Sequence, residues 1–259
     1  MGILNVTPDS FSDGGLYTDH ESAVLHGHRM VDDGAALIDV GGESTRPGSD
    51  PVDTGIELER VVTVVRTLSA SGIAVSVDTS KPEVAAAALE AGAEVVNDVT
   101  GLGDPSMREL VEMSGSGVVV MHMQGTPRDM QADPTYQDVV AEVESFLLDR
   151  SRSLIEIGVD PKRIAIDPGI GFGKTLEHNL SLLSELARIS SLGHPVVLGT
   201  SRKGFLGTLT GIESPSDRDQ VTAVTTALGY RAGARVFRVH DVVSSRHALE
   251  IATAISAER

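Results

Sequence analysis

Eight short apolar segments recur along the chain, and each ends on or beside a polar residue. They span residues 2–6, 36–40, 74–78, 94–97, 118–122, 164–167, 196–199 and 236–240. In seven of the eight intervals that follow them, the spacing of the apolar residues is typical of a helix. The segments are rich in β-branched residues and almost continuously apolar, as buried parallel strands are. This alternation predicts an α/β fold, a (β/α)8 TIM barrel, in which the strand ends meet on one face.

A Gly-Ala junction repeats between predicted helices and the strands that follow them. Gly34, Gly92 and Gly233 each stand at this junction. Glycine adopts the left-handed conformation that ends many helices, so three copies favour a repeated strand–helix unit. The alternative fold is an open, flavodoxin-like sheet, which predicts about five strands. No Pro/Ser linker or low-complexity stretch divides the sequence, so we expect a single barrel domain over residues 1–259.

Capping residues predict where several helices begin. Ser80 and Glu83 have the spacing of a capping box, so we expect Ser80 to cap a helix and to leave Asp78 for other contacts. Asp104 and Pro105 are typical of another helix start. Further helical patterns cover residues 84–91, 136–158, 177–192, 217–232 and 245–257.

The composition excludes several classes of function. The chain has 259 residues, of which 41% are hydrophobic, enough for one large core. It has no cysteine, which excludes a disulfide, a thiolate metal site and a cysteine nucleophile. The net charge of −16 disfavours nucleic acid and anionic membranes as partners. The N-terminus resembles a strand rather than a signal peptide, and no apolar stretch is long enough to span a membrane, so we expect a cytoplasmic protein.

Three hydrogen-bonding residues end the third, fourth and sixth segments: Asp78, Asn97 and Asp167. Side chains of this kind on one rim of a barrel suit a flat heterocycle with several N–H groups, because a carboxylate accepts two donors side by side. The alternative is that they cap the helices that follow.

Basic residues follow the seventh and eighth segments. Lys203 and Arg202 come directly after Ser201, and Arg238 and His240 lie at the end of the last segment. This corner of a TIM barrel often binds phosphate, so the cluster favours an anion site in which His240 donates to a phosphate or acts as a general acid. The alternative for Arg238 is an ion pair with an aspartate on the rim.

The loops after the first two segments are the other candidates. Asn5 begins a long polar loop that ends at Gly15, and its oxygen suits Mg²⁺ shared with substrate phosphates, although asparagine also caps turns. Residues 41–48 form a Gly/Pro-rich loop that presents Arg46, either to an anion or to solvent. The glycine loop at 168–174 lacks the spacing of a phosphate-binding P-loop.

The histidines outside these loops are expected to be structural. His122 and His178 are interpreted as ordinary polar residues of the fold, with His122 expected in the wall of the pocket. His20, His26 and His28 could suggest a metal site, but we expect them on an exposed helix face because no carboxylate stands at metal-site spacing.

Taken together, the loop motifs resemble the dihydropteroate synthases. The motifs are NVTPDSFSDGG at 5–15, GGESTRPG at 41–48, NDV at 97–99, MHMQG at 121–125, DPGIGFG at 167–173, SRK at 201–203 and RVH at 238–240. They occur in the order found in that family and cover almost the whole chain. The resemblance implies a transferase of folate biosynthesis that joins a pterin pyrophosphate to p-aminobenzoate, with Mg²⁺ as the ion and sulfonamides as mimics of p-aminobenzoate.

The resemblance also implies roles for individual residues. Asn5 would bind Mg²⁺, and Arg238 and His240 would hold pyrophosphate. Asp78, Asn97, Asp167 and Lys203 would hold the pterin, with Arg238 against its ring, and Met121, Phe172 and Gly199 would also bind substrate. Thr45, Arg46 and Ser201 would lie near the p-aminobenzoate pocket. Phe11 and Asp13 would arrive with the first loop, and Arg46 and Pro47 with the second. The catalytic group would comprise Asp13, Arg46, Lys203, Arg238 and His240, with Asp13 stabilising a pterin-methyl cation.

Two other functions are compatible with the motifs. A corrinoid methyltransferase domain that uses methyltetrahydrofolate would share the barrel and the pterin-binding residues, but has no need of Arg46, Lys203 and His240. A catalytically silent relative would bind the pterin pyrophosphate without turnover. The family resemblance favours a homodimer through apolar faces of the last helices. Members of the family usually carry a longer first strand, so we expect a short N-terminal half of that strand here.

Overall fold

The computed structural model describes residues 1–7 and 16–257, and gives no side-chain detail for residues 16–19. Phe11 and Asp13, both predicted to belong to the site, lie outside the described residues.

In the residues that the structure describes, eight parallel strands form the centre of the molecule. They are β1 (Gly2–Asn5), β2 (Ile38–Gly41), β3 (Val75–Asp78), β4 (Val95–Asp98), β5 (Gly117–Met121), β6 (Ile164–Asp167), β7 (Val197–Leu198) and β8 (Val236–Phe237). Strands β1 to β6 are hydrogen-bonded in sequence order, and β7 pairs with β8. Parallel bridges from Ile166 to Val196 and from Gly2 to Val239 close the circle. The barrel prediction is therefore confirmed, and the open sheet is wrong.

The strand register places the predicted site residues at the same level. Asp78 is paired with Gly41 on one side and with Asn97 on the other. Asp167 is paired with Met121. Because neighbouring strands run parallel, these side chains converge at one end of the barrel.

Ten helices surround the barrel in the described part of the chain. They are α1 (Leu16–Asp32), α2 (Thr54–Ala70), α3 (Pro82–Glu90), α4 (Pro105–Ser114), α5 (Val139–Glu156), α6 (Leu176–Ser184), α7 (Leu186–Ser190), α8 (Gly204–Thr210), α9 (Asp219–Arg231) and α10 (Val242–Ala257). Gly34, Gly92 and Gly233 all have φ near +105°, at +106°, +108° and +104°. The predicted Gly-Ala junction is thus a repeated left-handed turn from helix to strand.

Three details of the helices differ from the sequence-based prediction. Ser80 does not cap α3: Lys81 occupies the N-cap position without a side-chain cap, and Pro82 follows it. The helix expected over 177–192 is two helices, α6 and α7, that meet at Glu185. The one expected over 217–232 begins with a 3-10 turn, Pro215–Arg218. Proline at the first helical turn fixes the backbone without losing a needed donor, so α3 begins without a serine cap.

The histidines of α1 do not form an exposed face. His20, His26 and His28 are all partly buried, because α1 packs against β1 and α2. No described helix has the length and apolar character needed to cross a membrane.

Candidate active site

A cavity of about 850 Å³ opens at the carboxyl ends of the strands. Every predicted site residue that the structure describes lines it: Asn5, Thr45, Arg46, Pro47, Asp78, Asn97, Met121, Asp167, Phe172, Gly199, Ser201, Lys203, Arg238 and His240. The cavity has hydrogen-bond acceptors from β3, β4 and β6, cations from the loops after β7 and β8, and an apolar wall that includes Val99, Met121 and Met130.

Asp39 is a buried carboxylate that connects two of these residues from below. Its Oδ2 accepts from Arg238 Nε at 2.6 Å and from Asn97 Nδ2 at 3.1 Å. Because Nδ2 is used in this way, Asn97 keeps its carbonyl oxygen as an acceptor for the cavity. The sequence-based prediction for this strand concerned only the loop at 41–48, so the contacts of Asp39 are an addition to it.

Asp78 is held by Arg238 and still has an unused acceptor. Arg238 Nη2 donates to Asp78 Oδ2 at 2.5 Å, while Asp78 Oδ1 is buried without a hydrogen-bond partner among the described residues. Burial raises the pKa of Asp78 to about 7; Arg238 opposes this rise and Asp39 adds to it. A buried oxygen of this kind suits an N–H donor of a ligand, since leaving it unpaired is unfavourable.

The pairing of Arg238 with two aspartates agrees with the alternative considered for it, an ion pair on the rim. Burial lowers the pKa of Arg238, but the charges of Asp39 and Asp78 outweigh burial and leave that pKa raised. Arg238 nevertheless lines the cavity, so its remaining N–H groups are available to a ligand.

Asp167, Phe172 and Lys203 form the opposite side. Asp167 Oδ1 accepts from Gly169 N at 2.7 Å, which fixes the carboxylate at the start of the glycine loop. Lys203 Nζ lies 3.7 Å from the centre of the Phe172 ring. Burial lowers the pKa of Lys203 to about 7; Arg238 adds to this effect, and Asp167 opposes it. Lys203 and Phe172 therefore present a cation and an aromatic surface to the same space.

Ser201 and His240 form a hydrogen-bonded pair beside the cations. Ser201 Oγ lies 2.9 Å from His240 Nδ1 and accepts from His240 N at 3.1 Å. Burial, followed by the charges of Arg202 and Arg238, lowers the pKa of His240 to about 3, so the imidazole is neutral at pH 7. With the serine hydroxyl donating to Nδ1, Nε2 carries the proton and can donate to an anion.

Arg202 differs from Ser201 and Lys203 because its guanidinium is paired with an aspartate of α9. Its φ is +60°, and its guanidinium makes two bonds of 2.7 Å to Asp219. The backbone N–H of Arg202 donates to Thr222 Oγ1. This pairing with α9 holds the unusual backbone that places Ser201 and Lys203 in the cavity.

The comparisons with known proteins identify the family. The chain matches the model of pterin binding enzymes over residues 1–240. It is 48% identical to the dihydropteroate synthase of Mycobacterium leprae, over 97% of this chain and 91% of that protein. The chain belongs to the dihydropteroate synthase family. The resemblance seen in the sequence motifs is thereby confirmed.

Solved structures of the family share the whole fold. The Xanthomonas albilineans dihydropteroate synthase with 4-aminobenzoic acid has a TM-score of 0.94 and 47% identity, covering 99% of this chain and 92% of that chain. The same organism's enzyme in complex with 7,8-dihydropteroate has a TM-score of 0.91 and 44% identity, covering 99% and 93%.

Two buried side chains at or beside the cavity of this synthase-like barrel, Asp39 and Lys174, were not among the predicted site residues. Lys174 is buried against the cavity and contacts His122 Nδ1 at 3.0 Å and the Phe172 carbonyl at 2.9 Å. Burial lowers its pKa to about 7, although Asp167 opposes the change. The Gly-Lys-Thr segment at 173–175 contains this lysine, but because its spacing is not that of a P-loop, the sequence gives no reason to expect a buried amine there.

His122 and His178 are structural, as expected. His122 packs edge-on against Phe146, with ring centres 5.0 Å apart, and it lies behind the described cavity lining rather than in the wall. Burial lowers its pKa to about 3, with Lys174 adding to the effect. His178 completes a capping box with Thr175 at the start of α6.

Proposed function

We propose that this chain condenses 6-hydroxymethyl-7,8-dihydropterin pyrophosphate with p-aminobenzoate to form 7,8-dihydropteroate and pyrophosphate. The observation that carries the proposal is that one cavity is lined by hydrogen-bond acceptors at the ends of β3, β4 and β6, the acceptor end, and by basic side chains after β7 and β8, the cationic end. The substrate needs both, with N–H groups on the pterin ring and negative charge on the pyrophosphate.

The acceptor end suits the pterin. Asp78 Oδ1, the Asn97 carbonyl and the Asp167 carboxylate converge from three strands, and a ring with several N–H groups pairs with such a set. Lys203 and Phe172 flank this space. Met121 and Gly199 complete the lining that we assign to the ring.

The cationic end suits the leaving group. Arg238 and His240 Nε2 would bind pyrophosphate, and their charge and dipole would stabilise the negative charge that develops as it departs. In this reaction the C–O bond to pyrophosphate breaks, and the pair of electrons leaves with the oxygen. A C–N bond then forms to the amine of p-aminobenzoate, which loses a proton to solvent.

Mg²⁺ is proposed to accompany the pyrophosphate. The side chain of Asn5 lines the cavity, so its amide oxygen can serve as a ligand. A single amide oxygen fits an ion held mainly by phosphates and water. When bound, Mg²⁺ would supply charge neutralisation of the leaving group.

Thr45, Arg46, Pro47 and Ser201 are proposed to form the p-aminobenzoate side of the cavity. Arg46 and Pro47 are exposed at the mouth, so the pocket can be completed by the loop after β2. Two structures of the Xanthomonas albilineans enzyme support this class of ligand, since one was solved with 4-aminobenzoic acid and the other with 7,8-dihydropteroate. Phe11 and Asp13, outside the described residues, keep the roles that the resemblance implies.

A homodimer is also proposed, through α9 and α10. These two helices pack against each other and expose apolar side chains one helical turn apart: Val224 and Leu228 on α9, Ile251 and Ile255 on α10. A second copy of this chain could cover both pairs at once.

Direct turnover tests the activity. The purified full chain, given Mg²⁺, the pterin pyrophosphate and p-aminobenzoate, should yield dihydropteroate and pyrophosphate in equal amounts. Tight binding of the pterin pyrophosphate without product, beside an active control enzyme, would instead support the silent relative. Methyl transfer from methyltetrahydrofolate to a corrinoid would support the third reading.

A further inference from the structure

An ionic cluster lies beneath the loop after β2, outside the set of described residues that line the cavity. It consists of Lys81, Glu43 and Glu57, and we refer to it as the Lys81 cluster. Lys81 Nζ binds Glu43 Oε2 and Glu57 Oε2. Lys81 comes from the connection between β3 and α3, Glu43 from the start of the loop, and Glu57 from the first turn of α2. One ammonium group thus joins two consecutive strand–helix units, β2–α2 and β3–α3.

The Lys81 cluster fixes both ends of the loop. Glu43 Oε2 also accepts from the backbone N–H of Val52 at 3.0 Å, so one carboxylate connects the first and last parts of the loop. Arg60 donates to the Gly42 carbonyl at 2.8 Å. Residues 44–49, which carry Thr45, Arg46 and Pro47, project from this base towards the cavity.

Burial makes the contribution of Lys81 hard to replace. The Glu57 side chain is 1% exposed, compared with 18% for Glu43 and 21% for Lys81. Glu57 Oε1 is buried and has no hydrogen-bond partner in the described part of the chain. Burial lowers the pKa of Lys81, but its bonds to Glu43 and Glu57 outweigh burial and leave that pKa raised. Without Lys81, the two carboxylates would lie beneath the loop with no ion-pair partner among the described residues.

We propose that Lys81 is a positioning residue that sets the loop after β2 for p-aminobenzoate. This inference rests on the proposed function. Loss of the ammonium group releases Glu43 and with it the anchor to Val52, so the segment with Arg46 loses its fixed base. The pterin side depends on other contacts: Asp78 is held by Arg238 and by the strand register. The effect of Lys81 therefore falls on the amine substrate and on turnover, and spares the pterin.

Steady-state kinetics of Lys81→Met test the proposal. We expect the KM for p-aminobenzoate to rise about tenfold or more, since misplaced positioning groups cost rates of this order. The dissociation constant of the pterin pyrophosphate, measured by calorimetry, should stay within about twofold because its contacts are intact. Lys81→Arg should recover most of the loss, because a guanidinium can bridge both carboxylates. Lys162→Met, at an exposed lysine, is the matched control and should match the wild type.

A second variant guards against loss of folding. Glu43→Gln keeps the buried Glu57–Lys81 pair and removes only the charge at the loop, so it should fold and still raise the KM for p-aminobenzoate. Deuterium uptake of residues 43–52 in the ligand-free protein should increase in both variants and not in the control. Equal losses of pterin affinity and amine affinity, or unchanged kinetics in both variants, would overturn the inference. An inactive wild type would instead contradict the proposed function, while the deuterium measurement would still report on the loop.

Discussion

Asp39 shows how a residue that no ligand reaches can order a site. It is fully buried, yet its Oδ2 holds both Arg238 and Asn97. Its partner Arg238 lies 199 positions away along the chain. A contact over that distance has no local signature, which explains why the sequence pointed to the exposed loop after β2 instead. The cavity residues themselves could be predicted because strand ends and motifs are local features.

Asp39→Asn should weaken pterin binding although we expect no contact between Asp39 and the pterin. The variant retains the size of the side chain but loses the charged acceptor, so Arg238 and Asn97 are held less firmly. We expect about a tenfold loss of affinity for the pterin pyrophosphate, the scale of one hydrogen bond to a charged group. Calorimetry measures it, with Asp149→Asn on the surface of α5 as the control. Unchanged affinity would show that the two side chains are held by other contacts.

Burial of Lys174 predicts how the stability of the protein depends on pH. Its pKa is lowered from 10.5 to about 7 in the folded protein, so the unfolded chain holds the proton more tightly. Below pH 7 both states are protonated, and the cost of the buried charge is fully present. As pH rises above 7, the folded state loses the proton first, and the wild type gains about 1 kcal/mol per pH unit from this group.

Lys174→Met removes that dependence. The free energy of unfolding of the variant minus that of the wild type should therefore be largest near pH 6.5 and should decrease towards pH 9. Urea denaturation across this range measures the difference, and Lys162→Met should give a flat one. A difference that rises with pH would contradict the lowered pKa.

At the scale of elements, the sequence predicted the strands and the Gly-Ala junctions well, because both depend on residues within one turn or one strand. It failed at the start of α3 and at the break between α6 and α7. The capping box at Ser80 was locally plausible, but Pro82 supplies the helix start without it. Where a helix begins or breaks depends on how it packs on the barrel, and a local capping pattern carries no information about that packing.

The glycine loop after β6 gives a prediction at this scale. Gly169 has φ of +67°, and a Cβ there would lie 1.8 Å from the His122 carbonyl oxygen, a backbone atom that cannot move aside. Gly169→Ala should therefore destabilise the protein by about 4 kcal/mol or more.

Gly193→Ala is the matched comparison for Gly169→Ala. Gly193 also has positive φ, at +91°, but an added Cβ meets no described atom within 4 Å. It should cost only about 1 kcal/mol, the price of the left-handed backbone alone. Urea denaturation of both variants separates the two effects, and equal losses would mean that the loop moves to accept the methyl group.

At the scale of the whole molecule, the periodic strand pattern determined the barrel, and the barrel brought the loops to one face. The sequence carried no sign of the ion pairs that tie the loops together, since Lys81 lies in a different strand–helix unit from Glu43 and Glu57. Which charged residues of different units form ion pairs depends on the distances between them, and the closed barrel sets those distances. The barrel therefore explains why distant motifs act together, and the side-chain contacts explain how each is held.

The proposed dimer depends on an exposed apolar surface rather than on single ion pairs or hydrogen bonds. Leu228 is 62% exposed on α9 and Ile251 is 62% exposed on α10, and the two helices pack side by side. Glutamate at both positions would place charge in an apolar interface, which is strongly unfavourable when no partner neutralises it.

We expect Leu228→Glu/Ile251→Glu to sediment at 27.2 kDa and the wild type at twice that mass. Met113→Glu, at an 81% exposed position on α4, should remain dimeric. A wild type of 27.2 kDa at micromolar concentration, or a double variant that stays dimeric, would rule out α9 and α10 as the interface.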